Sequence, residues 1–195
     1  LFPAAGILVE KIFSMDAAWA FTVAALLWVY LGIQKGQVTQ DGLTGLNNRR
    51  RLDQYMWELD ERSGERETCC YLLMDVNKFK KVNDTYGHVT GDEVLRLVAE
   101  QLKRTFGNMQ AFLARYGGDE FVVIVKGKTQ DEMDVIIHQT QENVNAIAWG
   151  ADTPWQLSIS IGCAMRGEQG KQKSHELLAL ADERMYRQKK GIQDR

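Results

Sequence analysis

The sequence has few of the features that mark a nucleic-acid-binding, zinc-binding or disulfide-rich protein. Its formal net charge is −2, so it offers no general basic surface to a nucleic-acid polymer. The spacing of its three cysteines, Cys69, Cys70 and Cys163, does not match a metal-ligand pattern. Because adjacent cysteines do not bridge easily, we expect thiols in a reducing cytosol.

Long apolar runs are also scarce. The longest uncharged run, residues 17–33, has about 17 residues, which is the lower limit for crossing a membrane. We expect a hydrophobic, membrane-spanning helix there. Lys35 and most other basic residues follow it, which places the remaining chain on the cytoplasmic side of the bacterial inner membrane. The alternative is a hydrophobic helix from a sensor or dimerisation module. The chain begins with Leu1 rather than Met, which indicates a fragment of a longer membrane protein.

A short polar connector, residues 34–40, separates this run from the rest of the sequence. We therefore divide the chain into a hydrophobic segment with its connector, 1–40, and a second domain, 41–195. The second part has about 150 residues, which is enough for one domain with its own core.

Residues 116–121 carry the strongest functional signal. Their sequence is Tyr-Gly-Gly-Asp-Glu-Phe, between two apolar runs that predict strands. Gly117 and Gly118 fall where a two-residue hairpin turn is expected, and glycine permits positive φ and close approach of a ligand. Asp119 and Glu120 follow at once, which suits a nucleotide with a divalent metal. An ordinary surface hairpin is the alternative for this segment alone.

A second cluster follows the predicted buried strand at residues 69–74. Asp75 stands at the carboxyl end of that strand, and the segment after it contains lysines and asparagines. A carboxylate in this position, followed by lysines and a second polar group, is typical of a site for metal and phosphate.

Together these clusters resemble the GGDEF domain of diguanylate cyclases. The resemblance covers roughly residues 41–190 and rests on four motifs in the family's order and spacing. These are Asp41 to Arg50; Asp75-x-x-x-Phe79-Lys80-x-x-Asn83-Asp84 with Gly87-His88 and Gly91-Asp92; Gly117 to Phe121; and Ala181-Asp182 through Tyr186 to Lys189. The family's fold is similar to the catalytic palm of nucleotide cyclases, which implies that Asp75 lies beside the 117–120 turn.

Hydrophobic periodicity indicates an α+β fold. Apolar spacing predicts helices near 52–59, 94–102, 133–144 and 177–186, a strand at 69–75, a hairpin at 111–125 and a strand at 156–165. We expect a GGDEF domain with a central, mainly antiparallel sheet covered by helices and preceded by the hydrophobic helix.

The family chemistry condenses two GTP molecules into cyclic di-GMP with release of two pyrophosphates. The resemblance implies that Asp75, Asp119 and the Val76 carbonyl hold Mg²⁺ or Mn²⁺. Asp119 or Glu120 would assist deprotonation of the attacking ribose 3′-hydroxyl, and the sequence does not separate their roles.

Guanine selection has its own candidate residues. Guanine presents adjacent N1–H and N2–H₂ donors, and one carboxylate accepts from both, which adenine does not allow. Asp92 occupies the matching family position, with Asn83 and His88 as further substrate contacts. The alternative is that Asp92 only caps the helix that follows it.

For the phosphates the resemblance implies Lys80, as a catalytic residue, and Lys189, with the bare backbone of Gly118 in close approach. A lysine on the solvated face of a helix is the alternative for Lys189. Four residues beyond it the family usually has an arginine, where this chain has Gln193; Arg195 is a possible substitute.

A product-binding site common in the family is missing. That site has the pattern Arg-x-x-Asp shortly before the hairpin, where this chain has Asn108-Met109-Gln110-Ala111. We expect a membrane-tethered, homodimeric diguanylate cyclase that binds GTP. The alternatives are a GTP-binding or scaffold module with weak or no catalysis, and an interaction domain that binds no nucleotide.

Overall fold

The computed structural model describes residues 19–29, 39–62, 68–149, 156–166 and 172–193. The chain divides into two compact units, Leu1–Val38 and Thr39–Arg195. In the first unit, residues 19–29 form helix α1, whose side chains are exposed.

The predicted membrane-spanning helix is not supported. Across the described ranges, no helix is both long enough and apolar enough to cross a membrane. The remainder of the predicted run 17–33 lies outside the described residues.

The second unit contains the predicted helices and strands and one further helix, Phe79–Tyr86, that the periodicity does not predict. Its elements are α2 (Arg49–Glu61), β1 (Cys69–Val76), α3 (Phe79–Tyr86), α4 (His88–Phe106), β2 (Ala111–Arg115), β3 (Glu120–Lys126), α5 (Gln130–Asn145), β4 (Ile159–Met165) and α6 (Ser174–Gln193). The last helix extends well beyond the predicted 177–186, and the last strand begins three residues later than predicted.

Four strands form one sheet in the order β2-β3-β1-β4, and every neighbouring pair is antiparallel. β1 is central and all eight of its residues are buried. Alternate side chains of β1 enter two separate cores, because successive residues of a strand face opposite sides. Leu72 and Met74 pack beneath α4 and α5, whereas Tyr71 and Leu73 pack beneath α2 and α6. The expected antiparallel sheet covered by helices is therefore confirmed.

The hairpin between β2 and β3 differs from the expected two-residue turn. Arg115 pairs with Phe121, and the Tyr116 amide donates to the Glu120 carbonyl, so the connection comprises residues 117–119. Neither Gly117 nor Gly118 has a positive φ. The positive-φ explanation for these glycines is therefore wrong.

Helix α6 lies unusually close to β4. A Cβ added to Gly162 would lie 1.8 Å from the Ala181 carbonyl oxygen and 2.4 Å from the Met185 amide nitrogen. Only glycine permits this approach, because both neighbouring atoms belong to the helix backbone. The contact brings the α6 backbone close to β4 at Ala181 and Met185.

Candidate functional site

The end of β1 and the 117–119 connection meet at one corner of the sheet. Asp75 is the register partner of Glu120, and the Val76 amide donates to the Asp119 carbonyl at 3.2 Å. The predicted adjacency of the two acidic clusters is confirmed, since β1 and β3 are neighbours in the sheet.

These carboxylates lie in a negatively charged, partly desolvated corner. Burial raises the pKa of Asp75, and the negative charge of Asp119 raises it further. A hydrogen bond from Lys189 acts in the opposite direction and lowers it. Burial also raises the pKa of Glu120, with further contributions from Asp75, Asp119 and Asp182. Mutual repulsion is therefore only partly compensated by Lys189.

Lys189 reaches this corner from α6. Its Nζ lies 2.6 Å from Asp75 Oδ1, and both side chains are mostly buried. The neighbouring Gln188 accepts a hydrogen bond from the Ile161 amide at 2.6 Å, which fixes this part of α6 against β4. The solvated-face alternative for Lys189 is thus wrong, and its first partner is a carboxylate.

The acidic corner fits a divalent cation held jointly with substrate. In the described part of the chain there is no group of three or more His, Cys, Asp or Glu side chains able to enclose a metal. Magnesium commonly uses one or two carboxylates and takes its remaining ligands from phosphates and water. Asp75 and Asp119, with backbone oxygen at Val76, match that smaller donor set. Because Lys189 compensates their negative charge only in part, the site favours a cation.

The capping alternative for Asp92 is wrong. Helix α4 begins at His88, and its N-cap is Gly87. Asp92 lies one turn inside the helix and is exposed, four residues after His88 and therefore on the same face. Its carboxylate is available to a ligand.

Asn83 is brought beside this face by a second glycine contact. A Cβ added to Gly91 would lie 1.9 Å from Asn83 Oδ1, so only glycine leaves room for the amide. Lys80 is exposed on α3 one turn before Asn83. The structure thus gathers Asn83, His88 and Asp92 at the junction of α3 and α4, directly after the strand that carries Asp75.

Arg115 is a site residue that the sequence reasoning missed. Its Nη2 donates to the Gly118 carbonyl at 2.7 Å, and its Nη1 lies 3.2 Å from Asp41 Oδ1. This guanidinium connects the domain entrance to the glycine turn. A paired signal was present in the sequence, because a single arginine precedes the turn and a single aspartate opens the first motif.

The two glycines of the turn have different surroundings. A Cβ on Gly117 would lie 2.7 Å from Glu120 Oε2, so this glycine admits the carboxylate. Apart from its two chain neighbours, no described residue would have an atom within 4 Å of a Cβ on Gly118. The space over Gly118 is therefore open to a ligand, as the close-approach argument requires.

Asn77 has a structural part in this corner. Its amide donates to Ser158 Oγ at 3.0 Å and accepts from Ser160 Oγ at 2.7 Å. The buried side chain thus ties the end of β1 to β4. Asp182 of α6 was also assigned no role from the sequence, yet its charge acts on Glu120.

The structure describes the 108–111 segment, which lacks the family's product-binding pattern, and part of the region around Gln193. Ala111 is the first residue of β2, and Asn108 lies in the turn after α4. The backbone of α6 extends to Gln193, while the Gln193 side chain and Arg195 lie outside the described residues.

Comparison with known proteins agrees with this geometry. The family model for the diguanylate cyclase GGDEF domain matches residues 38–195. The chain is 38% identical over 156 residues to the probable diguanylate cyclase DgcI of Escherichia coli (strain K12), covering 77% of this chain and 31% of that protein. It is 34% identical over 161 residues to diguanylate cyclase DosC of the same strain. This match covers 79% of this chain and 34% of that protein. The chain therefore spans about a third of these relatives.

Among solved structures, the coiled coil and GGDEF domain of DgcB from Caulobacter crescentus, in complex with c-di-GMP, superposes with a TM-score of 0.73. The two sequences are 28% identical, and the match covers 91% of this chain and 95% of that one.

Proposed function

Because the chain belongs to the GGDEF family of diguanylate cyclases, we propose that its second unit, 39–195, condenses two GTP molecules into cyclic di-GMP and two pyrophosphates. The observation that carries the proposal is the junction of β1 with the glycine turn. Asp75, Val76 and Asp119 meet there, and the group of Asn83, His88 and Asp92 follows on the next two helices.

Guanine binding is assigned to the α3–α4 junction. The Asp92 carboxylate accepts from the N1–H and N2–H₂ groups of guanine, and the Asn83 amide both donates and accepts. His88 lies on the same helix face as Asp92 and is the third proposed substrate contact. An adenine base presents an acceptor to Asp92 and is disfavoured.

Phosphate binding is assigned to Lys80 and Lys189, with the open backbone at Gly118. Lys189 lies 2.6 Å from Asp75, which places its ammonium group at the corner proposed to bind the polyphosphate. Asp75, Asp119 and the Val76 carbonyl would hold Mg²⁺ or Mn²⁺, which supplies charge neutralisation at the leaving pyrophosphate and lowers the pKa of the attacking hydroxyl. Asp119 and Glu120 are the candidates to accept the proton of that hydroxyl.

The reaction requires two copies of the domain. Each site holds one GTP, and the product is two-fold symmetric, so we propose a homodimer with the two sites face to face. A GTP-binding module with weak catalysis is the competing proposal, favoured by Gln193 in place of the family's arginine. Incubation with GTP and Mg²⁺ separates them: the cyclase forms cyclic di-GMP, the module binds GTP but forms little or no product, and an interaction domain does neither.

Replacing Asp92 tests guanine recognition. Asp92→Asn puts an amide where two guanine donors require acceptors, so we expect the preference for GTP over ATP to fall by about 1–3 kcal/mol, or roughly 5- to 150-fold. Competition binding of the two nucleotides measures it. Glu93→Gln is the matched control, because Glu93 is also exposed on α4. An unchanged preference for GTP over ATP in the Asp92 variant would show that Asp92 does not recognise the base.

Replacing Arg115 tests the support of the glycine turn. Arg115→Lys keeps the charge but loses the fork that joins Asp41 to the Gly118 carbonyl. We expect turnover to fall about tenfold or more, because small misplacements of catalytic groups are costly. Arg104→Lys, on the exposed face of α4, is the control. Equal turnover in both variants would show that the glycine turn keeps its position without the Arg115 guanidinium.

Product feedback is expected to be weak. The two charged contacts of the family's inhibitory site are replaced by Asn108 and Ala111, and each such contact is typically worth about 1.5–3 kcal/mol. We expect the affinity of that site to fall by several orders of magnitude. Titrating cyclic di-GMP into an initial-rate assay at saturating GTP measures it. Strong non-competitive inhibition at low micromolar product would contradict the prediction.

Cellular location is a separate proposal. We propose that the uncharged run 17–33 attaches the chain to the bacterial inner membrane, with the second unit in the cytoplasm. Its support is sequence composition alone. Recovery of the intact protein in the soluble fraction of lysed cells, with a known membrane protein in the pellet, would reject it.

A further inference from the structure

Two cysteines outside the proposed catalytic site meet on one face of the sheet. The Sγ atoms of Cys70 on β1 and Cys163 on β4 are 3.0 Å apart. The register pairs Leu72 with Cys163 and Cys70 with Met165, so the cysteines are diagonal neighbours across two antiparallel strands. The third cysteine, Cys69, belongs to the core on the opposite face.

The two sulfurs differ in access and in charge environment. Cys70 is 1% exposed, whereas Cys163 is only partly buried. The contact with Cys70 lowers the pKa of Cys163, and the charge of Arg184 acts in the same direction. The same contact raises the pKa of Cys70. Thiolate character and access therefore favour Cys163 as the first sulfur to react with an oxidant.

We propose that Cys70 and Cys163 form an oxidation site, at which a peroxide converts the two thiols into an intramolecular disulfide. The arrangement supplies an accessible attacking sulfur and, behind it, a buried resolving sulfur already in contact. This pairing of a reactive with a resolving cysteine is the layout of redox-sensitive thiol sites.

The chemistry balances with one peroxide. The Cys163 thiolate attacks a peroxide oxygen, the O–O bond breaks, and the departing hydroxide takes a proton to become water. Cys163 is then a sulfenic acid. The Cys70 sulfur attacks it, the S–O bond breaks, and the second hydroxide leaves as water with the Cys70 proton. Two thiols are oxidised by two electrons, and hydrogen peroxide is reduced to two waters.

The bond is expected to be reversible. The sulfurs must approach by about 1 Å to reach a disulfide length of about 2.05 Å. Diagonal neighbours have Cα atoms roughly 7–8 Å apart, above the usual disulfide range of about 4.4–6.8 Å, so closure strains the sheet. Strained disulfides are more easily reduced. The disulfide would join the strand that carries Asp75 to the strand against which α6 packs.

Hydrogen peroxide treatment of the whole 195-residue chain, followed by alkylation under denaturing conditions, tests the proposal. We expect the alkylated thiols to fall from three to one, with Cys69 the one retained. Peptide mass spectrometry should find the Cys70 and Cys163 peptides linked, with the loss of two hydrogen atoms. Dithiothreitol should restore all three thiols.

Two variants give the matched comparison. Cys69→Ser keeps the pair and should still form the link, whereas Cys163→Ser should leave Cys70 alkylatable after peroxide. Circular dichroism confirms that each variant is folded. The thiol count of the wild-type protein tests the proposal even if a variant does not fold. The proposal is overturned if wild-type Cys163 is oxidised to sulfinic acid without a link, if Cys69 is in the link, or if the linked peptides come from different chains.

Discussion

Replacing Asp119 by Asn is expected to reduce cyclic di-GMP formation by about a thousandfold or more. The side chain is one of two carboxylates proposed to hold the divalent cation, and the amide that replaces it carries no charge. Its backbone carbonyl still accepts from the Val76 amide, so the strand junction is preserved. Product formation from GTP with Mg²⁺, followed by chromatography, measures the loss.

The stability of the Asp119 variant should not fall with its activity. Burial raises the pKa values of Asp75 and Glu120, and the charge of Asp119 acts in the same direction, so the folded protein holds these acids against some repulsion. Removing one charge relieves that repulsion, so the melting temperature should stay constant or rise. Asp53→Asn on the exposed face of α2 makes the same chemical change away from the site. Near-normal turnover in the Asp119 variant would reject the metal assignment.

Replacing Gly162 by Ala is expected to destabilise the second unit by about 3 kcal/mol, at the upper end of overpacking costs. The new methyl group would meet the Ala181 carbonyl and the Met185 amide, and neither can turn aside as a side chain would. For a chain of this length the loss corresponds to a melting temperature lower by about 10 °C. Turnover should fall as well, because Lys189 belongs to the helix that is displaced.

The same substitution at Gly191 has the opposite expectation. Gly191 lies on α6, and apart from its own helix turn no described residue would have an atom within 4 Å of an added Cβ, so alanine should raise stability by up to about 1 kcal/mol through its helix propensity. Thermal unfolding of both variants measures the difference. Equal melting temperatures would show that α6 does not depend on close contact at Gly162.

Much of the site could be predicted because its residues stand in short, local motifs. Asp75 and Val76 end an apolar strand, and Asp119 and Glu120 follow two glycines, so each cluster is visible within ten residues of sequence. Apart from the short helix α3, the order of strands and helices follows from apolar spacing, since a buried strand and an amphipathic helix have different periods. The two clusters needed the family resemblance to be placed together, and the register of β1 with β3 confirms it.

The motifs by themselves do not explain the structural roles of several of their residues. Asp92 before an apolar helix reads as a cap, yet the helix starts at His88, because Gly87 takes the capping position. Gly91 is required by Asn83, eight residues earlier, and this steric demand appears only when α3 folds back on α4.

Local sequence determined which strands and helices form, which acids follow them and which family pattern they match, since these depend on neighbours along the chain. Tertiary structure decided that Arg115 joins the domain entrance to the glycine turn, that Lys189 reaches Asp75 across 114 positions, and that two cysteines 93 positions apart touch. These contacts depend on register between distant strands and on how closely α6 approaches β4. Register is set by pairing along the whole sheet. The approach of α6 is set by packing, because a Cβ at position 162 would collide with the α6 backbone.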